Sequence, residues 1–138
     1  MIRPFTLADL GLLLRIEHQS FPKSPYDSIT FFNLHLRYPE GFLVYEGKLG
    51  EIWGYIVFSP DGHIISLAVH PLRRREGVAT ELLRRALESL HVKRVWAEVR
   101  RSNLGAQAFY IHTGFQVVGE VAGYYQDEDA LIVEKRID

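Results

Sequence analysis

The sequence predicts a mixed α/β fold, an α+β protein with a mostly antiparallel sheet of about seven strands and about four helices. Short runs of branched and aromatic residues, closed by glycine or proline turns, alternate with longer runs whose apolar residues recur at helical spacing. The chain has 138 residues, 47% of them hydrophobic, enough for one domain over 1–138 to bury a core without crosslinks.

An extended start over 2–5 leads to Thr6, a residue type that caps helices. Leu7, Leu10, Leu13, Leu14 and Ile16 then share one broad face, which predicts a first helix to about His18. Pro22 and Pro25 break the pattern in an aromatic loop, and Ser28 opens a second helix through Leu36. The runs 42–45, 52–58 and 63–69, separated by Gly47, Gly50 and the Ser59-Pro60-Asp61-Gly62 turn, read as an antiparallel meander. A helix over 77–90 and a strand over 94–99 follow. Asn103 caps a further helix over 104–112 that stops at Gly114. Strands over 115–121 and 130–137, joined by a loop over 123–129, close the chain.

Composition narrows the function classes. The formal net charge of -1 gives no global basic field of the kind a sequence-tolerant nucleic-acid binder uses, despite Arg73, Arg74, Arg75, Arg84 and Arg85. Cysteine is absent, which excludes disulfides, thiolate zinc sites and a cysteine nucleophile. The opening residues carry no signal-peptide pattern, and no apolar run approaches the roughly 18 residues that span a bilayer. A soluble cytoplasmic protein without a metal, acting as a monomer or weak homodimer, is expected.

The segment Arg74-Arg75-Glu76-Gly77-Val78-Ala79 joins the strand at 63–69 to the following helix. A helix start leaves unpaired N–H groups at its positive end, and Gly77 allows a phosphate to approach the main chain. This suits a pyrophosphate, although a solvated basic turn has the same composition. Val78 in place of Lys after the glycine excludes a Walker loop, and a lone glycine excludes the dinucleotide fingerprint.

The order of elements, the Arg74/Gly77/Ala79 turn and the segment Asn103-Leu104-Gly105-Ala106-Gln107-Ala108-Phe109-Tyr110, ending in Gly114-Phe115, resemble the GNAT superfamily of acetyl-CoA-dependent N-acetyltransferases. The likeness spans essentially the whole chain. The run from Gly62 to Val69, Ala97-Glu98-Val99-Arg100 and the Tyr124-Tyr125 pair are similar to protein N-terminal acetyltransferases of the ribosomal-protein-alanine and archaeal types. One departure is the missing glycine after the tyrosine pair, where Gln126-Asp127-Glu128 stands; another is the acidic Glu76 in the basic turn.

The resemblance implies a sheet splayed between its fourth and fifth strands, with acetyl-CoA wedged there as a pseudo-strand. Leu67 and Val69 would bond the pantetheine through their main chain, and the Val69 amide would polarise the thioester. Arg74, Arg75, Gly77, Val78 and Ala79 would hold the pyrophosphate, with Asn103 and Tyr110 also meeting the cofactor. The implied reaction is acetylation of the N-terminal α-amine of a protein or peptide. Transfer to a lysine side chain or a small amine, and a non-catalytic acetyl-CoA-binding module, are the alternatives.

Direct transfer needs a neutral amine, a stabilised thioester oxygen and a proton for the leaving thiolate. With reference pKa values of about 8 and about 10.4, roughly a tenth of an α-amine but well under a thousandth of a lysine is neutral at pH 7. Glu98 is the candidate general base, on the strand face opposite Ala97 and Val99; local sequence alone favours an exposed carboxylate, and the family resemblance reverses that. His63, with an ordinary pKa of about 6.5, is the second candidate. Tyr110 is the candidate acid, its pKa of about 10 set against about 8.5 for a thiol, with donation expected to be favourable. Phe21, Pro22, Tyr26, Tyr124 and Tyr125 are expected to wall a peptide slot, and Asp127, Glu128 and Asp129 to favour a cationic substrate.

Overall fold

The structure, a computed structural model, describes residues 1–137, one fewer than the expected domain range. Among them are seven strands and four α-helices in the expected order. Strands β1 (Ile2–Pro4), β2 (Phe42–Glu46), β3 (Ile52–Phe58) and β4 (Ile64–Val69) form one sheet in chain order. Strands β5 (Arg94–Arg100), β6 (Gln116–Val121) and β7 (Ala130–Arg136) form a second, in the order β5-β7-β6. The ladders thus divide between the fourth and fifth strands, as expected.

The chain forms two compact units, one of residues 1–59 and 66–90, the other of residues 60–65 and those from His91 onward. In the first unit, α1 (Leu10–Ser20) and α3 (Val78–Ser89) pack on β3. Leu13, Ile16, Phe31, Phe42, Tyr55, Ile56 and Leu82 are fully or almost fully buried, each large apolar side chain contributing about 1.5–3 kcal/mol of transfer free energy. The expected first helix begins as a 3₁₀ turn, Leu7–Asp9. The reason is local: the Asp9 carboxylate reaches back to accept the Thr6 N–H at 2.9 Å and is held by both Arg3 Nη atoms at 2.8 Å. Helix α2 (Ser28–Arg37) is capped by Asp27, whose side chain accepts the Thr30 N–H at 2.8 Å.

In the second unit, Val95, Ala97 and Val99 of β5 are buried together with Ala130 and Val133 of β7. Period-two alternation therefore turns Trp96 and Glu98 to the other face of β5. Helix α4 (Leu104–His112) packs on β6 and buries Tyr110. Gly62 occupies a position with φ +104, where a Cβ would lie 2.4 Å from the Arg94 carbonyl oxygen. Its own carbonyl accepts the Trp96 N–H at 3.0 Å, and an isolated parallel bridge joins His63 to Trp96. That close approach, open only to glycine, sets His63 beside β5. Among the described residues no helix is long and apolar enough to cross a membrane.

Candidate active site

The bridge places the His63 ring flat on Trp96, with centroids 5.1 Å apart and planes 2° apart. The Arg94 guanidinium also stacks on Trp96, at 4.6 Å. From this position His63 Nε2 lies 2.6 Å from Glu98 Oε1, and the Tyr124 hydroxyl donates to the same oxygen at 3.4 Å. The Glu98 side chain is only 13% exposed. Three residues expected to serve the reaction thus meet at one carboxylate, and burial, together with that carboxylate, raises the Tyr124 phenol above its ordinary pKa.

Tyr110 is buried against Phe109 and Phe115, with centroids at 5.3 and 5.0 Å. Burial pushes its pKa well up, helped by Tyr125 and by the charge of Glu98. The expected favourable proton donation is therefore corrected. A phenol is a weaker acid than a thiol, so transfer to a thiolate is already uphill by about 2 kcal/mol with reference pKa values, and burial steepens it. Tyr110 stays neutral and can act only as a hydrogen-bond donor.

The β6–β7 loop gives its acids a structural role as well. Arg100 bridges Asp127 and Glu128, each at 2.9 Å, and lies 4.3 Å over the Tyr125 ring. Glu128 also accepts the Ser102 N–H at 3.0 Å and its hydroxyl at 2.8 Å, and Asp129 accepts the Gly123 N–H at 2.9 Å. These carboxylates are engaged in shaping the loop that carries Tyr124 and Tyr125.

In the first unit, the His70 N–H donates to the Trp53 carbonyl at 2.7 Å. Alternation along an antiparallel ladder then points Ala68 toward β3 and the main-chain groups of Leu67 and Val69 away from it. The Val69 carbonyl accepts Arg74 Nε at 3.3 Å, while Arg74 Nη2 reaches Ser20 at 3.3 Å. Arg75 and Gly77 both have left-handed backbones, φ +66 and +82, so the turn curls tightly into α3. No side chain caps α3, and its first backbone bond runs from Glu81 N–H to Gly77 O. The N–H groups of Val78, Ala79 and Thr80 are therefore the orphan donors of the helix start, beside a glycine around which a Cβ would meet nothing within 4 Å. Glu76 pairs with Arg73 at 3.8 Å, which offsets the acid in this turn.

Asn103 Oδ1 accepts the Ala106 N–H at 3.0 Å as the cap of α4, and its Nδ2 hydrogens are the donors it can offer a ligand. Phe21 is half-buried and Pro22 exposed. Tyr26 is half-buried edge-on to Phe31, 5.7 Å between centroids, and its N–H donates to the Glu17 carboxylate at 2.9 Å. Sequence reasoning missed Glu17, Arg100 and the stacking role of Trp96. For Glu17 there was a signal, an acid seven residues after Leu10 on the apolar stripe of α1. Arg100 and Trp96 act through partners distant in sequence and leave no local pattern.

The model of the acetyltransferase (GNAT) family matches residues 9–115. An uncharacterised N-acetyltransferase of Methanocaldococcus jannaschii is 37% identical over 99% of this chain and 91% of its own length. An N-alpha-acetyltransferase of Sulfolobus acidocaldarius is 33% identical over 96% of this chain and 89% of its own. Among solved structures, Ard1 from Thermoplasma volcanium superposes with a TM-score of 0.91 and 29% identity, covering 100% of this chain and 97% of that one. The chain belongs to the acetyltransferase (GNAT) family and is an acetyl-CoA-dependent N-acetyltransferase.

Proposed function

We propose that the acceptor is the N-terminal α-amine of a protein or peptide, and that the two units act as a single domain. The match to the family model, which runs through residues of both units, supports the second point. The observation that carries the first is the half-buried Glu98 carboxylate, oriented by His63 and Tyr124 through one oxygen. Such a group suits an amine that needs only a modest base, and the N-alpha-acetyltransferase of Sulfolobus acidocaldarius is a relative over most of its length.

In this reading the orphan amides of α3, with Arg74 and Arg75, hold the pyrophosphate of acetyl-CoA. The main-chain groups of Leu67 and Val69 hold the pantetheine, and Asn103 Nδ2 supports it. The amine nitrogen attacks the thioester carbon, a C–N bond forms, and the C–S bond breaks with its electron pair leaving on sulfur. The amine proton goes to Glu98 Oε2, directly or through a water, since His63 and Tyr124 engage Oε1. Tyr110 donates a hydrogen bond to the departing sulfur, and the thiolate takes its proton from solvent, as a pKa of about 8.5 permits. Phe21, Pro22, Tyr26, Tyr124 and Tyr125 receive the peptide.

Release of free thiol from acetyl-CoA, followed with short peptides offered with free and with blocked N-termini, tests the reading. Turnover confined to free N-termini is expected. Equal rates with blocked lysine-containing peptides would move the acceptor to the lysine side chain.

A further inference from the structure

The buried carboxylate of Glu17 has no part in the chemistry above, and it is only 2% exposed. Burying a carboxylate costs several kcal/mol unless hydrogen bonds replace its water, so its partners identify what the group is for. The Tyr55 hydroxyl donates to Oε1 and lies 2.9 Å from the Ser66 hydroxyl. The Tyr26 N–H donates to Oε2 at 2.9 Å. The main chain of the same residue is also engaged, because the Glu17 carbonyl accepts the Phe21 N–H at 2.8 Å. One residue therefore holds both ends of the segment from Phe21 to Tyr26, its backbone at the start and its side chain at the finish.

The rest of the surroundings agrees with this use. Tyr55 is fully buried, and Phe31 stands edge-on to both Tyr26 and Tyr55, at 5.7 and 5.5 Å. A leucine at position 17 would suit such a core but would remove the acceptor of the Tyr26 amide and leave the Tyr55 hydroxyl only Ser66. We propose that Glu17 is a positioning residue that, supported by Tyr55, fixes the Phe21 to Tyr26 loop in the shape that receives the incoming peptide N-terminus. This rests on the reading that the loop meets the peptide. The anchoring itself can be measured without any peptide.

The test compares full-length wild type with Glu17→Leu, Glu17→Gln and Tyr55→Phe. Amide hydrogen exchange over 21–27 is recorded, with KM values for a free α-amine peptide and for acetyl-CoA. Glu17→Leu is expected to speed exchange in the loop by about tenfold and to raise the peptide KM by about as much, leaving the acetyl-CoA KM within about twofold. Glu17→Gln keeps an acceptor for the Tyr26 N–H and is expected to restore most of both. If Glu17→Leu does not fold, Tyr55→Phe carries the test, with changes of about threefold in the same direction. A folded variant whose loop exchanges as in wild type, or whose two KM values rise together, overturns the proposal. Absence of turnover on free α-amine peptides by wild type would instead defeat the reading of the acceptor, while the exchange data still decide whether Glu17 anchors the loop.

Discussion

The two loops proposed to receive the peptide are held by opposite chemistries. The loop after α1 hangs on Glu17, a carboxylate removed from water and satisfied by a phenol and a main-chain amide. The loop between β6 and β7 is clasped by Arg100, which reaches one half-exposed and one mostly buried acid at its rim. A buried acceptor acts over short range and is indifferent to ions, whereas a charged clasp near water is screened by them. Shape in the first loop is thus set by satisfying hydrogen bonds in the core, and in the second by charge neutralisation around a largely buried arginine with one acid open to water.

The largest expected effect supplies the reference for both loops. Glu98→Gln keeps the size of the base but removes its proton affinity, and kcat should fall by about 10²–10⁴ with little change in peptide KM. A rise in KM with kcat intact would place Glu98 among the loop anchors instead. For the clasp, Arg100→Ala is expected to raise the peptide KM about fivefold at low salt, while 1 M salt, where the Debye length is about 3 Å, should bring wild type part of the way toward the variant. Glu17 variants should show no such convergence, and equal salt sensitivity of the two loops would erase the distinction.

Protonation separates the anchors as well. Burial raises the Glu17 carboxyl above its ordinary range, against the opposing hydrogen bonds from Tyr55 and Tyr26 and the nearby charge of His18. The folded state then binds this proton more tightly than the unfolded chain, so stability is greatest below the unfolded pKa of about 4.3 and declines as pH rises toward the folded value. Asp9 has the opposite sign. Its own burial is outweighed by the Arg3 and Thr6 hydrogen bonds, its pKa is lowered, and its contribution is lost as pH falls below the unfolded value of about 3.9. Denaturant melts of wild type and Glu17→Gln across pH 3–7 should show the variant losing the decline above about pH 4.3 and keeping the acid-side loss. A further effect, on kcat alone, is expected from Tyr110→Phe. Losing one neutral hydrogen bond to the leaving sulfur should lower kcat by about tenfold or less and leave its pH profile unchanged, whereas loss of an alkaline limb would restore Tyr110 as a proton donor.

Much of this architecture is legible in the sequence because it depends on local pattern. The apolar runs gave every strand to within a residue or two, Asn103 announced its cap, and Gly77 marked the turn before α3. The face of β5 that carries Glu98 follows from alternation with Val95, Ala97 and Val99. What was not legible depends on pairs far apart in sequence. That Asp127, Glu128 and Asp129 shape their loop was not visible because nothing nearby in the sequence points to Arg100 or to the Gly123 amide. Glu17 was passed over because its partners, Tyr26 and Tyr55, lie in other elements. The expected proton donation by Tyr110 failed for a different reason, since the order of phenol and thiol acidities already opposed it and burial enlarges the gap.

The most direct test of the account is a single-turnover reaction with acetyl-CoA and one peptide carrying both a free N-terminus and an internal lysine, with the acetyl group located by fragmentation mass spectrometry. The account predicts acetyl on the α-amine and unmodified lysine. Acetyl on the lysine, with the α-amine left free, would contradict it.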